Sequence, residues 1–125
     1  MTFRVLLVED DPTMIMLLQT LLEIEGFEPV LIENYDNVLG EVHAAQPDVV
    51  LMDVHLREIN GLEVLGAIRA DAVLKQPCII MASGMDFREQ ALTAGANDFL
   101  QKPFMPDELV RKIKAQMATG GGYGT

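Results

Sequence analysis

Short apolar runs alternate with longer amphipathic stretches along the whole chain. Arg4–Val8 is rich in Val and Leu and apolar on both faces, which predicts a buried strand. Over Pro12–Glu25, Met14, Leu17, Leu18, Leu21 and Leu22 fall at i, i+3, i+4, i+7 and i+8, one face of a helix. Asp11 is placed to cap that helix, Pro12 to begin it and Gly26 to end it. Further strands are predicted near Phe27–Ile32, at Val49–Met52 ending on Asp53, at Cys78–Ala82 and at Phe99–Gln101. Helices are predicted over Asp36–Ala45, Gly61–Ala70, Asp86–Ala94 and Pro106–Met117. Five strand–helix units predict an α/β fold, a doubly wound, five-stranded parallel sheet with helices on both faces; in a 2-1-3-4-5 order its first and third strands are neighbours. The domain is expected over 1–118. Residues 119–125 are Gly-rich and read as a flexible tail or the start of a linker.

Composition narrows the classes. The 125 residues support one domain, large enough to hold a core without disulfides or structural metal. Half the residues are hydrophobic, too many for a disordered segment. A single cysteine, Cys78, rules out an internal disulfide and fits a reducing compartment. No apolar run approaches the roughly 20 residues of a spanning helix, and the N-terminus has no secretory pattern. The expected location is cytoplasmic, away from any membrane. Nineteen acids against nine bases give a net charge of −10, which argues against nucleic acid as a partner of this chain.

The acids are unevenly spread: residues 1–50 hold ten of them and one base, Arg4. Most read as solvated helix faces. Glu9-Asp10-Asp11 differs, because it follows the first strand directly. Ligands of open α/β sheets bind beyond the carboxyl ends of the strands, at the point where strand order reverses. Asp53 ends the neighbouring third strand, so Glu9, Asp10 and Asp53 should converge. Crowded carboxylates repel, and a hard divalent cation such as Mg²⁺, which takes oxygen ligands, relieves the repulsion. Ser83 and Lys102 follow the fourth and fifth strands, adding a hydroxyl and an ammonium to the same edge.

These pieces together resemble the receiver domain of bacterial two-component response regulators, from about Phe3 to Met117. The resemblance rests on Val-Glu-Asp-Asp-Pro at 8–12, Asp-Val-Val-Leu-Met-Asp at 48–53 and Asn-Gly-Leu-Glu at 60–63. It also rests on Ala-Ser-Gly at 82–84, Gly-Ala-Asn-Asp-Phe at 95–99 and Lys-Pro-Phe at 102–104. It implies that Asp53 is the phosphoacceptor, and that Glu9, Asp10, Asp53 and the backbone carbonyl of His55 hold Mg²⁺. Ser83 and Lys102 would bind phosphoryl oxygens, the Lys102–Pro103 bond would be cis, and Phe99 would be an aromatic switch turning inward on phosphorylation. The implied donor is a sensor histidine kinase or a His phosphotransfer protein. The implied receiver of the signal is a downstream protein or a fused output domain. The implied reading surface is the fourth helix, fifth strand and fifth helix, on a monomer or a phosphorylation-dependent homodimer. Such a chain is no enzyme in the ordinary sense; it catalyses only its own phosphotransfer and slow dephosphorylation.

Some positions depart from the family pattern. Arg57 stands where proline is usual, four residues after Asp53, and is expected to point to solvent. Gly84 replaces a usual alanine and keeps the site open. Met85 and His55 flank the site; an apolar Met85 cannot orient an attacking water, which predicts a longer-lived phosphoryl group. An aspartate-nucleophile phosphohydrolase would need a second Asp at His55. A flavodoxin-like protein would need a Ser/Thr/Gly-rich loop in place of Glu9-Asp10-Asp11.

Overall fold

The computed structural model describes residues 2–119, so the tail expected over 119–125 lies outside the described residues apart from Thr119. In chain order the elements are β1 (Arg4–Val8), α1 (Pro12–Ile24), β2 (Glu28–Leu31), a 3₁₀ turn (Tyr35–Asn37), α2 (Val38–Ala45) and β3 (Val49–Asp53). There follow β4 (His55–Leu56), β5 (Ile59–Asn60), α3 (Gly61–Ala70), β6 (Cys78–Ser83), α4 (Arg88–Ala94), β7 (Asp98–Gln101) and α5 (Pro106–Ala118). Five strands form one parallel sheet in the order β2-β1-β3-β6-β7, which is the expected 2-1-3-4-5 counted over that sheet alone. β4 and β5 form a separate antiparallel hairpin that periodicity does not foresee, since two residues per strand carry no pattern.

The two-sided apolar strands are explained by two cores. Successive strand residues point to opposite faces. Leu6, Val8, Val50, Met52, Ile79 and Met81 pack with Val38 and Val42 of α2, Leu65 and Ile68 of α3 and Ala91 of α4. Val5, Leu7, Val49, Leu51, Cys78 and Ile80 pack with Leu18 and Leu22 of α1 and Leu109 and Ile113 of α5. Each such fully buried aliphatic side chain contributes roughly 1.5–3 kcal/mol. Burial pushes the Cys78 thiol up to about 12, so it stays neutral and serves as a small hydrophobe.

Three local expectations change. Leu17 is 51% exposed, because the buried stripe of α1 narrows to Leu18 and Leu22, with Met14 and Leu21 half-buried. α4 begins at Arg88, since the Asp86 carboxylate accepts from the Arg88 N–H at 3.2 Å in a turn ahead of the helix. β2 is shorter than expected and lies at the sheet edge, with Glu28 and Leu31 exposed. Asp11 does cap α1, accepting from the N–H of Thr13 at 3.0 Å and of Met14 at 3.4 Å. No helix among the described residues is long and apolar enough to cross a membrane.

Register then sets the two ends of the sheet. Val8 lies opposite Met52, Asp53 opposite Ala82 and Ser83 opposite Gln101, so four strands finish together. The Lys102 N–H donates to the Ser83 carbonyl at 2.7 Å, holding the two strand ends level, and the Lys102–Pro103 bond is cis. At the other end, Arg69 of α3 donates to the carbonyls of Gly95 and Pro77, to Gln76 Oε1 and to Asn97 Oδ1, all at 2.8–2.9 Å. Asn97 Oδ1 in turn accepts from the Ile79 N–H at 2.8 Å, tying the start of β6 to the segment leading into β7.

Candidate functional site

Glu9 follows β1 and is buried beyond its end, 4% exposed. Its Oε2 accepts from the backbone N–H groups of Asp10 at 2.8 Å and Asp11 at 3.2 Å. Its Oε1 accepts from Lys102 Nζ at 2.8 Å. Asp53 closes β3, is equally buried, and has the same ammonium 2.7 Å from Oδ1 and 2.9 Å from Oδ2. Glu9, Asp10 and Asp53 each offer a carboxylate oxygen, all within 4.8 Å of one another. Lys102 bridges two of the three acids and leaves a net negative charge in a confined space.

Titration follows from that crowding. Burial first, and then the neighbouring Glu9 carboxylate, raise Asp53 to about 7 against the pull of Lys102. Burial would raise Glu9 as well, yet hydrogen bonds from the Asp53 carboxyl and from Lys102 hold it below the ordinary range. Fixed backbone donors decide between them: Glu9 accepts two N–H groups, so the proton of the pair resides on Asp53. Lys102 is raised despite its burial, by Asp53 and Glu9 together. Three clustered carboxylates, two of them buried and too few cations to balance them, are a donor set that fits a hard divalent cation.

Ser83 ends β6 with its hydroxyl oxygen accepting from the Met85 N–H at 3.1 Å, which leaves the O–H free to donate. A cavity of about 120 Å³ is lined by Asp53, His55, Ala82, Ser83, Gly84 and Lys102. No atom lies within 4 Å of where a Gly84 Cβ would stand, so the opening is wide at this point. On the far side, Asn60 caps α3 through the Leu62 N–H at 2.9 Å. A Cβ on Gly61 would collide with the Asp53 carbonyl, so glycine is required for α3 to start against the strand end.

The structure thus brings together Glu9, Asp10, Asp53, Ser83, Gly84 and Lys102, with His55 on the rim. His55 is exposed, and its ring meets Phe87 edge-on at 5.5 Å. Met85 is 63% exposed and Pro103 is exposed beside the site. Phe99 is not in the cavity lining. It is 1% exposed in the α2–α3–α4 core, already inward, so the expected inward turn has no outward starting point here. Arg57 is exposed, as expected, and its guanidinium carbon also lies 4.0 Å from the centroid of the Tyr35 ring. Its backbone is left-handed, φ 56°, because it opens the two-residue turn between β4 and β5.

Sequence reasoning misses Tyr35 altogether. It lies on the turn after β2, and its hydroxyl donates to the Glu9 carbonyl at 2.7 Å. Burial raises Tyr35 above its ordinary value, keeping the hydroxyl a donor at neutral pH. A lone aromatic in a polar loop carries no sequence signal of such a role.

Residues 5–114 match the response regulator receiver domain family. The chain is 34% identical over 116 residues to the DNA-binding response regulator MtrA of Mycolicibacterium smegmatis, covering 91% of this chain and 50% of that protein. It is 33% identical over 120 residues to the phosphate regulon transcriptional regulatory protein PhoB of Klebsiella pneumoniae, covering 94% and 52%. The chain therefore spans about half the length of these relatives. Among solved structures, the signal receiver domain of a response regulator from Bermanella marisrubri superposes with a TM-score of 0.83 at 29% identity, covering 92% and 98% of the two chains. The receiver domain of the sensor histidine kinase PA1611 from Pseudomonas aeruginosa PAO1, with a magnesium ion in its active-site cleft, gives 0.81 at 28%, covering 94% and 99%. Sheet order, the acids at the strand ends and the sequence over nearly its whole length agree, and the chain belongs to the response regulator receiver domain family.

Proposed function

We propose that the chain accepts a phosphoryl group on Asp53 from a phosphohistidine, of a sensor histidine kinase or a His phosphotransfer protein, in an Mg²⁺-dependent reaction. The observation that carries this reading is Lys102 Nζ set 2.7 Å from Asp53 and 2.8 Å from Glu9, at the mouth of a cavity that Ser83 also lines.

Each residue has a task in such a transfer. An Asp53 carboxylate oxygen forms the bond to phosphorus while the P–N bond of the donor breaks, its electron pair leaving with the imidazole nitrogen. Little covalent help is needed; position and charge compensation do most of the work. Glu9, Asp10, Asp53 and the His55 carbonyl would hold Mg²⁺. When bound, Mg²⁺ offsets the negative charge of the carboxylates and of the phosphoryl group. Asp53 must be ionised to attack, and Lys102 stabilises that ionised form. Lys102 then exchanges its contact with Asp53 for a phosphoryl oxygen, and the Ser83 hydroxyl donates to another.

The output follows as a population shift. New anionic charge at the strand ends draws Ser83 and Lys102, and β7 carries that movement to the faces of α4 and α5. Asp98 of β7 links them, paired with Lys112 of α5 at 3.0 Å and with Arg88 of α4 at 3.6 Å. A downstream protein, an output domain of the kind the DNA-binding relatives carry, or a second phosphorylated copy would read that surface. Phe99, already packed inward, serves in this reading as a fixed strut beneath it rather than as a rotating switch.

The test is loading with a small phosphoryl donor or beryllofluoride in the presence of Mg²⁺. The wild-type chain should take up one phosphoryl group or bind beryllofluoride, and Asp53→Asn should abolish both. No Mg²⁺-dependent loading of the wild type would overturn the reading.

A further inference from the structure

We propose that Tyr35 and Arg57 form a clasp between the two acid-bearing loops, and that both are positioning residues for the cation site; this rests on reading Glu9, Asp10 and Asp53 as that site. The Tyr35 hydroxyl grips one loop, donating to the Glu9 carbonyl at 2.7 Å, one peptide unit before Asp10. The Arg57 guanidinium grips the same ring from the other loop, 4.0 Å from its centroid. Arg57 belongs to the hairpin that leaves β3 directly after Asp53 and contains His55. Tyr35 therefore stands between the end of β1 and the hairpin after β3, in contact with both.

The backbone at Arg57 points the same way. A two-residue hairpin turn whose first central residue is left-handed is ordinarily served by glycine. Arginine holds that conformation here at φ 56°, on an exposed turn with no core to enforce it. Strained backbone of this kind persists where surrounding contacts over-determine it, and it concentrates at functional sites. The stacked ring is the contact that does so, since cation–π attraction works on a guanidinium at this distance. Ligands of a metal site depend on such outer contacts to hold their spacing.

Charge alone predicts the opposite effect. Tyr35 feels Glu9, Asp10 and Arg57 together, so Arg57 places a positive charge beside the acids. By Coulomb's law, losing that charge should tighten Mg²⁺ binding. If Arg57 acts as a clasp, losing it should weaken binding.

The deciding experiment is calorimetric titration of the 125-residue chain with MgCl₂, alongside thermal unfolding without metal. Arg57→Asn accepts the left-handed turn and drops the guanidinium. It should unfold at an unchanged or higher temperature, yet bind Mg²⁺ roughly tenfold more weakly. Tyr35→Phe keeps ring and charge, loses only the hydroxyl, and should bind roughly threefold more weakly. Arg57→Lys, which keeps a cation over the ring, should restore most of the affinity. Wild-type affinity, or tighter binding, in both Arg57→Asn and Tyr35→Phe overturns the clasp while leaving the cation site standing. A wild-type chain that binds no Mg²⁺ overturns the site, and the clasp with it.

Discussion

Arg69 at one end of the sheet and Lys102 at the other are both half-buried cations, and they are used in opposite ways. At the amino-terminal end, Arg69 donates to two backbone carbonyls and to the side-chain oxygens of Gln76 and Asn97. Four of its N–H groups are held by fixed neutral oxygens, in the fork geometry that suits a guanidinium. At the carboxyl-terminal end, Lys102 meets two buried carboxylates with a third close by. There burial, and then the neighbouring Glu9 that one ammonium does not balance, raise Asp53 to about 7. A cation held by several neutral acceptors stitches structure. A cation outnumbered by acids leaves a site in need of another ligand. The difference lies in what surrounds the charge, as half-burial is common to both.

The largest effect is expected at Arg69. Arg69→Ala strands several half-buried acceptors and opens the junction of α3, β6 and the segment before β7. It should cost about 3 kcal/mol in urea unfolding. Phosphoryl loading of the fraction that remains folded should be unchanged; a loss of loading at full folding would show that the two ends are not separable.

Asp53→Asn should act in the opposite sense. A carboxyl raised in the folded state keeps a proton that the unfolded chain has already lost. Stability of the metal-free wild type therefore falls as pH rises from about 4 to about 7. Asp53→Asn removes that slope. It should be more stable than wild type by about 2 kcal/mol at pH 8 without metal, with the difference closing toward pH 4. Equal stability at pH 8 would mean that the acids at this end are not in conflict.

Adding Mg²⁺ sharpens the same contrast. At ten times the dissociation constant the wild type should gain about 1.4 kcal/mol. Arg69→Ala should gain the same amount, because its lesion lies at the far end, and Asp53→Asn should gain little. Smallest of all is Met85→Glu at the rim, where the exposed side chain would put a carboxylate able to orient water. Loss of the phosphoryl group should then speed up about threefold, a barrier change of roughly 0.6 kcal/mol. A rate no faster than wild type would remove Met85 from any part in phosphoryl lifetime.

Much of this was legible along the chain. Runs such as Val5-Leu6-Leu7-Val8 and Val49-Val50-Leu51-Met52 are apolar on both faces because each strand feeds two cores, and that two-sidedness is a sequence property. Glu9, Asp10, Asp53, Ser83 and Lys102 were legible because each ends a strand or follows one, and strand ends of a parallel sheet converge. The His55–Asn60 hairpin was not, since a turn opened by Arg57 lacks the Asn-Gly or Asp-Gly signal. Leu17 fits the helical stripe by spacing but faces outward, because periodicity gives a face and not its width.

By itself, then, the sequence determined the parallel α/β sheet and which acids stand at its strand ends. These follow from short runs apolar on both faces, from period-3.6 stretches between them and from chain direction, which are local. Tertiary structure alone decided that Lys102 bridges Glu9 and Asp53, that Phe99 lies in the core, and that Tyr35 reaches both Glu9 and Arg57. These contacts join residues 22 to 93 positions apart, and no local pattern encodes which side chains meet once separate elements have packed.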